Sequence, residues 1–294
     1  MRIGPAEPAE YIPALQMLFA HLPAADAQQR ASAALNLLES KTESPAHLLV
    51  ARRNSTILGA ALMQVLVGAT GVIWPPRADE AAIEDALTRQ SLDWLKANGA
   101  KLAQAILAAN EAFVAQPLLR NGFRHPTRLC YLSHDLTAME KPAGEFEPFA
   151  EANRADFEVA LWRSYEQTLD FPEVTGHRSL EEVIRGHRSS AGLLRWWLLR
   201  HGDQAAGVLL LEELQGGHAL DLVYLGIVPE ARRRGLGTEL TRKALDEAKK
   251  GGAGELTLCV DARNAPARRV YDRLGFVEYD RREVFLAQLG FPER

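Results

Sequence analysis

Cysteine is scarce in this chain, with two in 294 residues, and Cys130 and Cys259 both fall inside apolar strand-like runs, "RLCYLSHDL" and "LTLCVDA". Two cysteines so placed build no disulfide framework and read as buried free thiols rather than nucleophiles. Long hydrophobic runs are missing too. No apolar stretch approaches the roughly 18 residues of a membrane span, and the opening "MRIGPAEPAEYIPALQ" lacks the basic and apolar blocks of a signal peptide. The expectation is a cytoplasmic protein with no membrane partner. Positive charge is not in excess: 34 Lys and Arg stand against 38 Asp and Glu, a net charge of −4. With an isoelectric point near 6.1, that speaks against a general nucleic-acid binder. Eight histidines are scattered without an HExxH pattern or a Cys/His cluster, so no metal site is expected.

What is present is a 47% hydrophobic chain, long enough for two ordinary domains of about 150 residues each. Proline, glycine and charge in "TAMEKPAGEFEP" (137–148) mark a boundary, giving domains 1–139 and 140–294. In the second, "RADFEVALWRSYEQTL" and "LEEVIRGH" have helical spacing. Three strands follow, joined by "HGDQ" and "QGGH" turns, then the helix "GLGTELTRKALDEAKK" with Leu236, Leu240 and Ala244 on one face. The strand "ELTLCV", the helix "PARRVYDRLG" and the strand "REVFLAQL" complete it. The first half repeats this order. A shift of 153 residues lays Pro76 on Pro229, Leu87 on Leu240, and Gly122 and Phe123 on Gly275 and Phe276. The fold class implied is α/β, each half a mixed sheet flanked by helices.

The stretch "VPEARRRGLGTEL" (228–240) concentrates positive charge at the start of that helix. A helix start already offers unpaired N–H groups and about half a positive charge, so it accepts an anion wherever no side chain blocks the approach. Gly235 and Gly237 remove that block, and Arg232, Arg233 and Arg234 add cationic donors. A solvated basic loop is the alternative. The pattern is not GxxxxGK[ST], since no Lys-Ser or Lys-Thr follows.

The segment "LGIVPEARRRGLGTEL" resembles the acetyl-coenzyme A loop of the GNAT superfamily of N-acetyltransferases, Arg/Gln-x-x-Gly-x-Gly/Ala, here Arg232, Gly235 and Gly237. The superfamily's second signature appears as Asn264, Ala267, Tyr271, Gly275 and Phe276. The resemblance implies two tandem GNAT-like domains with mostly antiparallel twisted sheets, and an acetyltransferase site in the second. It implies that acetyl-coenzyme A is the acyl donor and that Leu225, Gly226, Ile227 and Val228 end a splayed strand bonding the pantetheine arm. Arg232 through Thr238, including Leu236, would hold the pyrophosphate, with Asn264 and Ala267 on the far side of the arm. Tyr271 would protonate the departing thiolate and Asp221 would act as base; Glu212, Glu213, His218 or ordered water stay open as bases. Phe171, Pro172 and Glu173 are candidates to rim an amine pocket, Glu173 attracting a cation; a plain surface loop is the other reading. Trp196 and Trp197 read as core and interface.

Under the same shift, Arg232, Arg233 and Arg234 fall on Asp79, Glu80 and Ala81, while Gly235 and Gly237 fall on Ala82 and Glu84. Tyr271 falls on Leu118, and Asn264 on Glu111, with Asn110 one residue out of register. The first copy is therefore expected to keep the fold without a coenzyme site. The expected reaction is direct transfer of an acetyl group to the primary amine of a small molecule, since no Cys or Ser is set beside a His. A reaction like that of mycothiol synthase, whose two-half plan is similar, stays open, as do a protein or peptide acetyltransferase and a non-catalytic acyl-coenzyme A sensor.

Overall fold

The computed structural model describes residues 1–40, 44, 46–137, 139–188, 195–214 and 217–290. Residue 138 of the boundary stretch and residues 215 and 216 of the "QGGH" turn lie outside these. The elements of the first half run β1 (Arg2–Pro5), α1 (Tyr11–Phe19), α2 (Ala24–Glu39), β2 (Ala46–Arg53), β3 (Thr56–Leu66), β4 (Thr70–Ala78), α3 (Ala81–Ala97), β5 (Leu102–Ala108), α4 (Gln116–Arg120) and β6 (Arg124–His134). Those of the second run β7 (Glu145–Pro148), α5 (Arg154–Ser164), α6 (Leu180–His187), β8 (Arg195–His201), β9 (Gln204–Glu213), β10 (Ala219–Ile227), α7 (Leu236–Lys250), β11 (Glu255–Asp261), α8 (Ala265–Arg273) and β12 (Val277–Gln288).

By their contacts these elements form two compact units that exchange strands in sequence. Unit 1 holds Met1–Pro126, Gly176–Arg178 and the chain from Glu283; unit 2 holds Thr127–Thr175 and Ser179–Arg282. Most of β6 therefore lies in unit 2, and the second half of β12 in unit 1.

Unit 1 orders its strands β1, β2, β3, β4, β5, followed by the end of β12. Both faces of its sheet are covered, which is why "LLVA" in β2 is continuously apolar rather than alternating. Leu48 and Val50 pack with Leu15, Leu18 and Phe19 of α1, while Leu49 and Ala51 pack with Leu87 and Leu95 of α3. Phe285 and Ala287 of β12 belong to that second cluster.

Unit 2 orders its strands β7, β8, β9, β10, β11, β6, followed by the start of β12. Trp196 and Trp197 are buried in its core, as their alternation on β8 suggests. Leu236, Leu240 and Ala244 seat α7 on that core. Most pairings are antiparallel; β10 and β11 run parallel. Their register runs from Ala219↔Glu255 to Leu222↔Leu258 and stops there. A bulge between Leu222 and Tyr224 turns β10 aside, while its pairing with β9 continues to Ile227. The two strands part like the arms of a V.

Candidate active site

One arm of the V ends in Leu225, Gly226, Ile227 and Val228, with no strand beside it on the β11 side from Tyr224 onward. Gly226 is demanded by close approach: a Cβ there would collide with the side chain of Ser164 and lie 2.8 Å from the Tyr224 ring. α5 therefore packs directly on this arm, and Ser164 Oγ meets Tyr224 Oη at 2.8 Å.

After Val228 the chain turns into α7. Arg233 (φ 62°) and Gly235 (φ 81°) adopt left-handed backbone, the conformation in which successive N–H groups form an anion-binding nest. The amides of Arg233, Arg234, Gly235, Leu236 and Gly237 donate to no acceptor among the described residues, whereas those of Thr238 and Glu239 bond to the Gly235 carbonyl. In front of Gly235 and Gly237 the space is open, since a Cβ at either would meet nothing within 4 Å. This is the arrangement that holds a phosphate by backbone alone. Arg233 and Arg234 are exposed beside it. The Arg232 side chain is used otherwise. Its guanidinium donates to the carbonyls of Ile227, Gln167, Ser164 and Glu166 at 2.6 to 3.2 Å, tying down the segment after α5. Four carbonyls leave it little capacity for an anion.

The other arm, β11, ends at Asp261, and Asn264 caps α8, its Oδ1 accepting the Ala267 amide at 3.3 Å. Within that same helix, Tyr271 is 7% exposed and packs against Phe276. Its hydroxyl has no hydrogen-bond partner among the described residues and is not among the fully enclosed polar atoms, so it stays available to a ligand. Burial, with the charge of Asp170 and the thiol of Cys259, raises the phenol above its ordinary value, which keeps the proton on it.

Asp221, on β10 between Glu212 and Thr257 in register, accepts the Thr257 hydroxyl at 2.5 Å. Burial and then the charge of Glu212 raise its carboxyl, against the Thr257 bond. Of the other base candidates, Glu213 is paired with Arg195 at 3.5 Å, and His218 sits at the turn with its carbonyl accepting the Gly254 amide.

Cys259 corrects the sequence reading. Cys130 is buried as expected, but Cys259 is exposed. The reason is the strand splay, which uncovers the end of β11 where a continuous sheet would have covered it. Burial still pushes its thiol up to about 12, followed by the charges of Asp170 and, further down, Asp221. Asp170 has the same character, solvent-reaching with its carboxyl raised by desolvation. Cys259 thus lies within the fields of both carboxylates and itself acts on Tyr271.

Pattern reading missed Asp170 and the pair Tyr165 and Tyr224, stacked at 4.9 Å between centroids. It named the neighbours of Asp170 instead. Glu173 is engaged by Arg263 through both oxygens, at 2.7 and 2.8 Å, and is not free to attract a cation.

In unit 1, β4 and β5 also part after three paired residues, Thr70↔Leu102 to Val72↔Gln104. There Glu84, which the repeat sets on Gly237, is ion-paired with Arg77 and Arg120. Glu111, on the position of Asn264, is buried with Arg30 at 2.8 Å and His21 at 3.4 Å. Among the described residues of the chain no group of three or more His, Cys, Asp or Glu could hold a metal ion.

Residues 156–276 match the Acetyltransferase (GNAT) family. A mycothiol acetyltransferase of Corynebacterium aurimucosum is 27% identical over 249 residues, 78% of this chain and 79% of that protein. One from Beutenbergia cavernae is 34% identical over 99 residues, 34% of this chain and only 32% of that protein's length. Among solved structures, a GCN5-related N-acetyltransferase from Sphaerobacter thermophilus superposes with a TM-score of 0.59 at 18% identity, covering 98% of this chain and 95% of that one. A tandem GNAT protein from the clavulanic acid biosynthesis pathway gives 0.54 at 16% identity over 99% of both chains. At such identities the structural matches speak for the fold.

Proposed function

We propose that, with a region matching the GNAT acetyltransferases over residues 156–276, the chain moves an acetyl group from acetyl-coenzyme A directly to the primary amine of a small molecule. The observation that carries this is the pairing of an open nest of unbonded amides at Arg233–Gly237 with an unpartnered phenol, Tyr271, in the same splayed sheet. The diphosphate lies on the nest, and the pantetheine arm runs along Leu225–Val228 like an added strand, with Asn264 and Ala267 opposite. An N–H of that arm polarises the thioester oxygen.

The amine attacks the thioester carbon: a C–N bond forms and the C–S bond breaks. Asp221 takes the proton lost by nitrogen, directly or through water, and the departing sulfur takes the phenol proton of Tyr271. The high thiol pKa of Cys259 keeps it protonated and a poor nucleophile, in keeping with transfer in one step. The first copy contributes no coenzyme site in this reading, its equivalent positions being filled by the internal ion pairs of Glu84 and Glu111. A mycothiol acetyltransferase-like acceptor is the second reading, favoured by the 249-residue likeness to the Corynebacterium aurimucosum protein.

The test is thiol release from acetyl-coenzyme A with a panel of small primary amines. Tyr271→Phe and Asp221→Asn are each expected to lower kcat by about 100- to 10,000-fold, roughly 3 to 5 kcal/mol, with coenzyme affinity retained. Two variants that turn over like wild type overturn the assigned roles. Coenzyme binding without thiol release for any acceptor identifies a sensor instead.

A further inference from the structure

On the free arm of the V, the ladder with β9 tells which way each backbone group points. The Val228 amide donates to the Ala206 carbonyl at 3.0 Å. Successive residues of a strand turn their N–H groups to opposite sides, so Gly226 and Tyr224 face β9 as well, while Leu225 and Ile227 face the opening. The Ile227 carbonyl agrees: it is taken by Arg232 at 3.1 Å rather than by β9. The Leu225 N–H is then the first donor beyond the bulge between Leu222 and Tyr224 that faces the opening.

That N–H belongs to the peptide joining Tyr224 to Leu225, so whatever fixes Tyr224 aims it. Tyr224 Oη meets Ser164 Oγ at 2.8 Å, and Ser164 Oγ donates its one proton to the Leu161 carbonyl at 2.7 Å. With that proton spent the serine can only accept, and the phenol is the donor. The Tyr224 ring is stacked on Tyr165 at 4.9 Å between centroids. His187 of α6 lies 5.2 Å from it and bonds Tyr165 Oη at 2.9 Å.

Gly226, on the other side of Leu225, is pressed into the same frame, since a Cβ there would lie 2.8 Å from the Tyr224 ring and collide with Ser164. Arg232 joins the Ser164 carbonyl at 3.0 Å to that of Ile227. The arm is thus pinned to the last turn of α5 before and after Leu225. An apolar residue at 224 would fill the same space. A phenol that donates to the helix end adds direction, because a buried hydroxyl is costly wherever its bond is not made.

We propose that Tyr224 is a positioning residue for the acyl donor: its bond to Ser164 and its stack on Tyr165 hold the Leu225 N–H at the height and angle that polarise the thioester oxygen. This rests on the acetyltransferase reading above and assigns its polarising donor to one peptide. Tyr224 acts through that peptide rather than on the substrate. Without the brace the arm relaxes, and a misplacement of about 1 Å at such a donor costs about 100-fold in rate.

The test is infrared difference spectroscopy of acetyl-coenzyme A with an isotope-labelled thioester carbonyl bound to the full chain, beside steady-state thiol release and calorimetry with coenzyme A. In wild type the C=O stretch is expected to fall below its solution value on binding. Tyr224→Leu is expected to return it to that value and to lower kcat about 100-fold, with coenzyme A affinity unchanged because the nest is untouched. Tyr224→Phe and Ser164→Ala, which keep the aromatic stack, should each undo the same part of the shift, and the double variant no more than either alone. Variants that melt lower yet keep the wild-type stretch and kcat reveal a merely structural brace and overturn the proposal, as does a double variant whose losses add. A lowered stretch that Tyr224→Leu abolishes, in a wild type that releases no thiol with any amine, supports the brace and refutes the transfer reading. Wild type that does not bind acetyl-coenzyme A overturns both.

Discussion

His47 of β2 lies flat on Trp94, ring centroids 4.6 Å apart, and burial lowers its pKa below the ordinary value of about 6.5. His21 is lowered as well, by burial against the opposing pull of Glu111. In both, the unfolded chain binds the proton more readily than the folded one. Their contribution to stability is therefore complete above about pH 6.5 and is lost as pH falls through the lowered folded value. The melting temperature of the full chain is expected to drop between pH 7.5 and 5, and His47→Phe, which keeps the stack without the titration, to flatten that slope in part; an unchanged slope would remove His47 as a contributor. Residue chemistry was unevenly legible in the sequence. Tyr271 and Asn264 were singled out through the resemblance of their motif to a GNAT signature, and Asp221 through its place on the strand that such a resemblance makes part of the site. Asp170 did not stand out, and Arg232 stood out only as a cationic donor to an anion, because what engages each in the fold is a partner some 65 to 90 residues away: the Asp261 amide for one, the carbonyls after α5 for the other. Cys259 was misread for a related reason, since an apolar strand looks buried until the neighbouring strand leaves it.

At the level of elements, the start of α7 was the most readable part of the chain, because glycine at a φ of 81° and an empty approach at Gly237 are backbone requirements with few alternatives. Helix α2 was the least readable. Its contacts begin with Ala27, Ala31 and Ala34, whose small side chains leave only a faint apolar stripe, and gain larger groups, Leu35 and Leu38, only toward its end. The four-residue strands β1 and β7 are likewise too short to show a period. A contrast between two neighbouring residues tests the division of labour at α7. Gly237→Leu adds bulk where nothing stands, so the melting temperature should hold while the coenzyme dissociation constant rises at least about tenfold, some 1.4 kcal/mol. Arg232→Met removes bonds to four carbonyls and should lower the melting temperature and raise the acceptor KM, with a smaller change in coenzyme affinity. Equal coenzyme affinity in Gly237→Leu and wild type would take the nest out of the site.

For the molecule as a whole, the strand exchange governs stability. Phe285 and Ala287, 3% and 8% exposed, complete the same core cluster as Leu49, Met63 and Leu87, yet about 200 residues separate them in sequence. Removing that strand deletes a large buried aromatic and uncovers the edge of β5, a loss of about 3 to 5 kcal/mol for the phenylalanine alone. A fragment of residues 1–139 is therefore expected to lack fixed tertiary packing by near-ultraviolet circular dichroism; a fragment with a sharp, native-like spectrum would contradict this. The 153-residue repeat is visible in the sequence because it preserves element order. The exchange is not, because the apolar residues of a strand do not say which core receives them.

The timing of synthesis follows from the same exchange. While a ribosome is producing the first 126 residues, the partner for β5 does not yet exist, and the hydrophobic side of that half waits for a strand translated more than 150 residues later. The nascent protein must carry an incomplete module through most of its own production.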